Sequence, residues 1–318
     1  MTEIPESVRL AAEERAAARA AHDWATADRL RDEIEAAGWK VIDTGTAYRL
    51  DTAHAPDVVD GGRTRYGRSE AVPSRLEEPA AGLASVIVVA TDHAGDVLRA
   101  TAGIVSAAPE GVQLVVVGDR PSAEVDTALD ELEATAEVVR TSSRLGHAAA
   151  LNVGLRRTIG PVVIILDPSI EATGDFVTPL VAELDDPTVA VAGPFGIVSD
   201  DLRHFDETSA GDVDAIEGYC LAFRRADAIA RGPLDEGFRF YRNFDIWWSL
   251  VLRDAGPDGR HRRAVAVGGL PLVRHEHRGW TALKADEREG LSRRNFYRLL
   301  DRFREREDLL THRRSARS

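Results

Sequence analysis

Asp245 is the residue best placed to do chemistry in this chain. It stands in Phe240-Tyr-Arg-Asn-Phe-Asp-Ile-Trp-Trp-Ser-Leu-Val-Leu-Arg-Asp-Ala-Gly256, where an aromatic turn runs into an amphipathic helix that closes on a glycine. A carboxylate at a helix start commonly accepts a backbone N–H as a cap. One held beside a substrate hydroxyl can instead take its proton as a general base. Further acids and glycines stand upstream where the chain turns. Asp119 lies in Val116-Val-Gly-Asp-Arg-Pro-Ser122, Asp167 in Ile165-Leu-Asp-Pro-Ser-Ile-Glu171, and Glu217-Gly218-Tyr219 comes before Asp245. Downstream, Val273-Arg-His-Glu-His-Arg-Gly-Trp280 puts His275 and His277 on one face if the segment is extended. Such carboxylates and imidazoles serve as ligands of a divalent ion, as hydrogen-bonding groups toward phosphate, or as ordinary polar residues of a loop.

The elements that must position these groups follow from apolar patterning. Ser85–Ala90, Val112–Gly118 and Pro161–Leu166 are continuous β-branched runs, as expected of strands buried on both faces of a parallel sheet. Val189–Ala192 is read as a fourth strand. Helical spacing covers Asp96–Ala108, Ala123–Ala136 and Ala148–Thr158 between them. Strand and helix alternating in this way give an open α/β sheet, with ligands at the carboxyl ends of its strands. Asp286–Glu307 is read as a helix with Leu291, Phe296, Leu299, Leu300 and Phe303 on one stripe.

Composition narrows the function classes. A net charge of −13 argues against nucleic acid as a general partner, because phosphate binding needs a basic surface. The single Cys220 rules out an intrachain disulfide and a cysteine zinc cluster, and is expected to be a buried apolar residue. The first residues carry no apolar signal run, and no stretch reaches the roughly 18 apolar residues of a membrane span. A cytoplasmic protein is the expectation. The basic tail Thr311–Ser318 is expected to be a solvated, disordered end, with peripheral contact to an anionic membrane surface as the alternative.

Residues 6–50 read as a small helical module with a short hairpin. A first helix runs from Glu6 to Ala21, Asp23 caps a second, and strands Trp39–Asp43 and Ala47–Leu50 follow. Ala18-Arg-Ala-Ala-His-Asp-Trp-Ala-Thr-Ala-Asp-Arg-Leu-Arg-Asp32, with Gly38 and Val41-Ile-Asp-Thr-Gly-Thr46, resembles the small C-terminal module of cysteinyl-tRNA synthetases. That resemblance implies a docking unit for a protein partner or a homodimer, with residual tRNA contact as the alternative. The domain plan is therefore module 1–52, exposed linker 53–82, catalytic domain 83–282, and C-terminal helix and tail 283–318.

Across 83–282, the order of motifs resembles the family-2 glycosyltransferases, nucleotide-sugar enzymes of the GT-A fold. The resemblance implies inverting transfer of a sugar from a nucleotide-sugar donor to an acceptor hydroxyl, with Asp245 as catalytic base. It implies donor contacts at Thr91, Asp92, Asp119, Gly146, Asn152 and Asp167, and an acceptor side at Glu217, Gly218 and Tyr219. The turn Arg144-Leu-Gly-His147 into a helix is expected to face phosphate with its N-terminal amides. A divalent metal, Mg²⁺ or Mn²⁺, is implied at Asp167 with Glu171, His275 and His277. The chain departs from the family pattern at Ser169, Phe244 and Trp247, where acids are usual. With fewer anions near it, Asp245 is expected at a lower pKa. The same departures also support the alternative of a non-catalytic nucleotide- or sugar-binding scaffold.

Overall fold

The computed structural model of the protein describes residues 4–45, 47–254 and 260–311. The basic tail beyond Thr311 and the Gly256 expected to close the helix fall outside them. The chain divides into two compact units, Met1–Val58 and Val59–Ser318.

The first unit is the expected helical module with a hairpin. It holds α1 (Glu6–Ala20), α2 (Trp24–Ala36), β1 (Trp39–Thr44) and β2 (Ala47–Thr52). The Asp23 carboxylate accepts the Thr26 amide at 3.1 Å, which satisfies one free donor at the start of α2. Val8, Ala12, Ile34 and Trp39 make its core. Buried Arg15 joins helix to hairpin through two hydrogen bonds to Asp43, at 3.0 and 3.1 Å.

The second unit begins where a linker was expected. Residues 53–82 are not merely loop: they contain β3 (Val58–Asp60) and β4 (Arg63–Tyr66), the outer strands at one end of the large sheet. Short strands rich in arginine do not show the apolar alternation of a core strand. Here ion pairs do part of the work, because Arg65 bonds Asp126 and Arg63 bonds Asp130 and Glu133.

The chain continues through β5 (Ala84–Ala90), α3 (Ala94–Ala107), β6 (Val112–Gly118), α4 (Ala123–Leu132), β7 (Glu137–Thr141), α5 (His147–Leu155) and β8 (Val162–Leu166). Next come β9 (Ile170–Ala172), α6 (Val177–Glu183), β10 (Val189–Gly193), β11 (Gly196–Val198), β12 (Asp206–Thr208), β13 (Gly211–Val213) and β14 (Ala215–Ile216). The rest is β15 (Cys220–Arg224), α7 (Arg225–Arg231), α8 (Phe244–Arg253), β16 (Arg263–Ala266), β17 (Leu272–Arg274), α9 (Arg278–Thr281) and α10 (Ala285–Phe303).

Ten strands form one sheet in the order β13-β16-β10-β15-β8-β5-β6-β7-β4-β3. Pairing is parallel from β8 through β5, β6 and β7 to β4, and antiparallel where β15 enters between β8 and β10. This is the mixed, mostly parallel α/β sheet flanked by helices that the sequence implied. The β-branched runs alternate between two cores. Val86 and Val88 pack with Val97 and Ile104 of α3, whereas Ile87 packs with Leu151 of α5 and with α8.

The pattern of α8 misleads about its surroundings. It reads as amphipathic, yet Phe244 and every residue from Ile246 to Arg253 are buried. One side packs on β10 and β14, and α10 covers another through Leu299 and Phe303. Full burial of a side chain such as Trp248 contributes roughly 1.5–3 kcal/mol. Arg253 closes the helix inside the core, its guanidinium donating to the carbonyls of Asp214, Arg262 and Leu309. No helix among the described residues is long and apolar enough to cross a membrane.

Candidate active site

A cavity of about 440 Å³ opens where β8, β15, β17 and the start of α8 converge. Its lining includes Asp167, Glu217, Gly218, Tyr219, Asp245, His275 and His277, which the sequence had singled out. His147, Tyr241, Arg242, Asn243, Arg274 and Trp280 line it too.

The register of β8 and β15 brings the first of these together. Leu166 pairs with Cys220, and the Asp167 amide donates to the Tyr219 carbonyl at 3.0 Å. The residue after one strand thus sits beside the turn before the other. A ribbon of β9 and β17 then delivers the histidines, with Ile170 paired to Arg274 and the His275 amide bonded to the Ser169 carbonyl at 2.8 Å.

Asp245 belongs to the first turn of α8. Asn243, in the left-handed conformation at φ 64°, turns the chain into the helix; asparagine tolerates that region better than most residues. Asp245 Oδ2 accepts the Gly218 amide at 2.8 Å and Oδ1 its neighbour Ile246 at 2.9 Å. Each oxygen keeps acceptor capacity. Burial raises the Asp245 pKa above its ordinary value, against the pull of these amides and of Arg242. The lower value expected from sparse anions is therefore wrong: loss of solvent outweighs the missing neighbours. Burial, then Asp245 and Glu207, push Glu217 up to about 7.

Asp167 has a different setting. Its Oδ1 accepts the Ser169 amide at 2.8 Å and the Ser169 hydroxyl at 2.6 Å, and Oδ2 stands 3.2 Å from His277 Nε2. Burial opposes its charge, but His277 and Ser169 more than offset this and hold its pKa below the ordinary value. For His277, burial likewise disfavours the charged ring while Asp167 outweighs it and raises the pKa. The ring of His277 stacks on Tyr241 at 4.4 Å, and its Nδ1 accepts the Trp280 amide at 3.1 Å.

The metal set read from the sequence resolves into separate pairs. His275 Nε2 meets Glu171 at 2.7 Å, whereas His277 meets Asp167. The strand stops at Arg274, so the two imidazoles diverge instead of sharing a face. Among the described residues no group of three or more His, Cys, Asp or Glu side chains is arranged to hold a metal ion. Asp167 alone fits one: His277 Nδ1 accepts the Trp280 amide, so its Nε2 carries the proton turned toward Asp167 and would have to give it up before meeting an ion. Octahedral ions take few protein ligands when phosphates supply others.

The residues expected on the donor side are bonded within and between loops, and none of Thr91, Asp92, Asp119, Gly146 and Asn152 is among the residues lining this cavity. Asp119 accepts the amides of Leu145 and Gly146 at 2.7 and 3.1 Å and the Thr141 hydroxyl at 3.1 Å. Asp92 pairs with Arg144 at 2.9 Å, and the Thr91 carbonyl takes the Ser122 amide. Asn152 is buried and bonded to Leu234 and Glu236. Gly146 adopts φ +99°, and a Cβ there would lie 3.0 Å from Arg239 Cα. The first two amides of the helix it opens are not free for phosphate, because His147 and Ala148 donate to the carbonyls of Arg239 and Phe238.

His147 is the site residue that sequence reasoning passed over, although its place directly after Gly146 pointed to it. Burial drives its pKa to about 4, so it lines the cavity as a neutral ring, edge-on to Phe244 at 5.1 Å. Arg274 lies 3.9 Å over the Tyr219 ring, 3.5 Å from Glu217 and 3.8 Å from Glu207.

A family model and a solved structure both match the large unit. The family model described as Glycosyl transferase family 2 matches residues 85–246. A solved structure of GalNAc-T7 with UDP, GalNAc and Mn²⁺ superposes with a TM-score of 0.56 at 16% identity, over 72% of this chain and 49% of that one. The mannosyltransferase PcManGT from Pyrobaculum calidifontis, in complex with GDP-Man and Mn²⁺, gives 0.49 at 20% identity, over 67% and 62%. The cysteine–tRNA ligase 1 of Burkholderia lata is 52% identical over 48 residues, 15% of this chain and 10% of that protein. The chain thus spans about a tenth of that ligase and about half of GalNAc-T7.

Two outcomes follow from the site's packing. The buried Asn295 amide donates to the carbonyls of Phe240 and Arg242 at 2.6 and 2.8 Å, fixing the turn before Asp245. Asn295→Ala leaves those carbonyls without their donor and lowers unfolding free energy by about 1–3 kcal/mol, read by urea denaturation. Glu217 binds its proton more tightly folded than unfolded, so its burial lowers stability as pH rises from its unfolded value toward about 7. Glu217→Gln should therefore raise Tm relative to wild type more at pH 8 than at pH 5, by the equivalent of on the order of 1–3 kcal/mol.

Proposed function

The chain belongs to glycosyl transferase family 2, and from that premise we propose that it is an inverting glycosyltransferase. Its donor is a nucleotide sugar, its acceptor a hydroxyl, and Asp245 the general base. The observation that carries this reading is the setting of Asp245. The carboxylate is fixed by two amides, raised in pKa by burial, and faces a cavity that Asp167 and His277 also line. A carboxylate whose pKa is raised by burial is a stronger base than an ordinary one, and so is suited to accept a hydroxyl proton in the transition state.

In the step proposed, the acceptor hydroxyl gives its proton to Asp245 as its oxygen bonds to the anomeric carbon. The bond from that carbon to the diphosphate oxygen breaks, and the nucleoside diphosphate leaves with the electron pair. Attack opposite the leaving group inverts the anomeric centre. Asp167 would hold a divalent ion, which when bound supplies positive charge for the departing diphosphate. The GalNAc-T7 complex, which contains Mn²⁺, lends support to that cofactor here. Arg242 and Arg274 add cationic charge around the same cavity. Neutral His147 packs beside them without adding charge.

Asp245→Asn should lower release of free nucleoside diphosphate by a factor of about 10²–10⁴ while nucleotide binding persists. The check is a turnover assay beside a thermal-shift panel of UDP, GDP, dTDP and CDP; equal turnover in both proteins would sink the assignment. One nucleotide should stabilise the wild type, and Mn²⁺ should enlarge that shift by mass action. Asp167→Ala should remove the Mn²⁺ increment; an increment that survives the substitution argues against Asp167 as a ligand.

A further inference from the structure

Glu217 is a buried carboxylate beside the reacting position that the proposed step leaves unused. Its Oε2 is enclosed and has no hydrogen-bond partner, and its nearest cation is Arg274 at 3.5 Å. An enclosed carboxylate oxygen without a donor is costly, because it has lost water and gained no hydrogen bond. Oε2 is closed even to water, so a ligand's donor would reach this carboxylate at its other oxygen, Oε1, where Glu217 lines the cavity.

Its position relative to Asp245 is set by one peptide. Gly218 follows Glu217 directly, and its amide donates to Asp245 Oδ2 at 2.8 Å. The two carboxylates are therefore neighbours across that amide, and the charge of Asp245 helps to raise the pKa of Glu217. Asp206 and Glu207, from β12, line the same cavity, and Glu207 adds to the field at Glu217. Arg274 lies between Glu207 and Glu217, at 3.8 and 3.5 Å, and stacks on Tyr219, so its charge is partly committed to them.

We propose that Glu217 determines acceptor specificity by taking a hydrogen bond from a hydroxyl adjacent to the one Asp245 deprotonates, so that the acceptor is an uncharged sugar presenting a vicinal diol. This rests on the reading of Asp245 as the base that meets the acceptor. Hydroxyls bring the donor that Glu217 lacks and a further one for the acceptor capacity Asp245 keeps beside its two amides. A phosphate or uronate in the same place would set one anion against several others at low dielectric, which is strongly unfavourable. An acidic wall thus selects against anionic acceptors as well as for polyols.

The test is saturation-transfer NMR on the full chain, loaded with diamagnetic Mg²⁺ and whichever of UDP, GDP, dTDP or CDP stabilises it. The probes are methyl glucoside, methyl galactoside and methyl mannoside, each beside its uronate counterpart. Wild type should favour at least one neutral glycoside over its uronate by about tenfold in affinity. Glu217→Gln should weaken the neutral glycoside by about tenfold and narrow the preference, since a neutral amide no longer repels the uronate. A residue of purely structural effect would weaken both probes alike. The nucleotide thermal shift reports whether the variant folds, and the wild-type comparison needs no variant. Silence of every neutral glycoside, tighter uronate binding, or unchanged selectivity in Glu217→Gln overturns the inference. None of these touches the turnover result for Asp245→Asn, whose failure would instead remove the base itself.

Discussion

The antiparallel insertion of β15 between β8 and β10 is the constraint on which the site depends. An all-parallel sheet would send every strand end to the same edge and leave loops to meet there. Here one strand leaves the cavity edge at Leu166 and its neighbour starts there at Cys220. The Asp167 side chain and the Glu217–Tyr219 turn are consequently held by the sheet's own hydrogen bonds. A slip of one residue would turn Asp167 to the opposite face, because side chains alternate along a strand.

Around that fixed edge the cavity divides its charges. Asp167 has a serine and a histidine to stabilise its anion, so it is kept ionised. Asp245 and Glu217 have few such partners and lose solvent, so both are pushed toward protonation. Three carboxyls in one cavity thus differ in proton affinity through their surroundings alone. A permanently charged group suits a leaving diphosphate and its counter-ion, whereas a group that takes protons readily suits an attacking hydroxyl.

Support for Asp245 comes from outside the stretch matched by the family model. Helix α10 lies beyond residue 246, yet Asn295 bonds the carbonyls before Asn243, and the Asn243 amide reaches the Ser292 carbonyl at 3.2 Å. At the far end of α8, Arg253 binds backbone carbonyls from separate parts of the chain. A buried guanidinium is costly unless its donors are used, and here they are used to tie segments together. The helix that presents Asp245 is thereby anchored at both ends.

By itself the sequence determined the fold class, because β-branched runs separated by helical spacing have few packed solutions. It also determined Asp245, Asp167, Glu217 and His277 as candidates, since each sits next to a strand end or helix start. It did not disclose β4, whose place in the sheet rests partly on ion pairs with residues some sixty positions away. Nor did it show that α8 is enclosed, because an amphipathic pattern does not say how many neighbours cover a helix. Which acids share a cavity, which engage loops as Asp119 does, and which imidazole meets which carboxylate were decided only in three dimensions. Hydrogen-bond partners and loss of solvent depend on segments far apart in the chain, and they fix the proton affinities that local residue type leaves open.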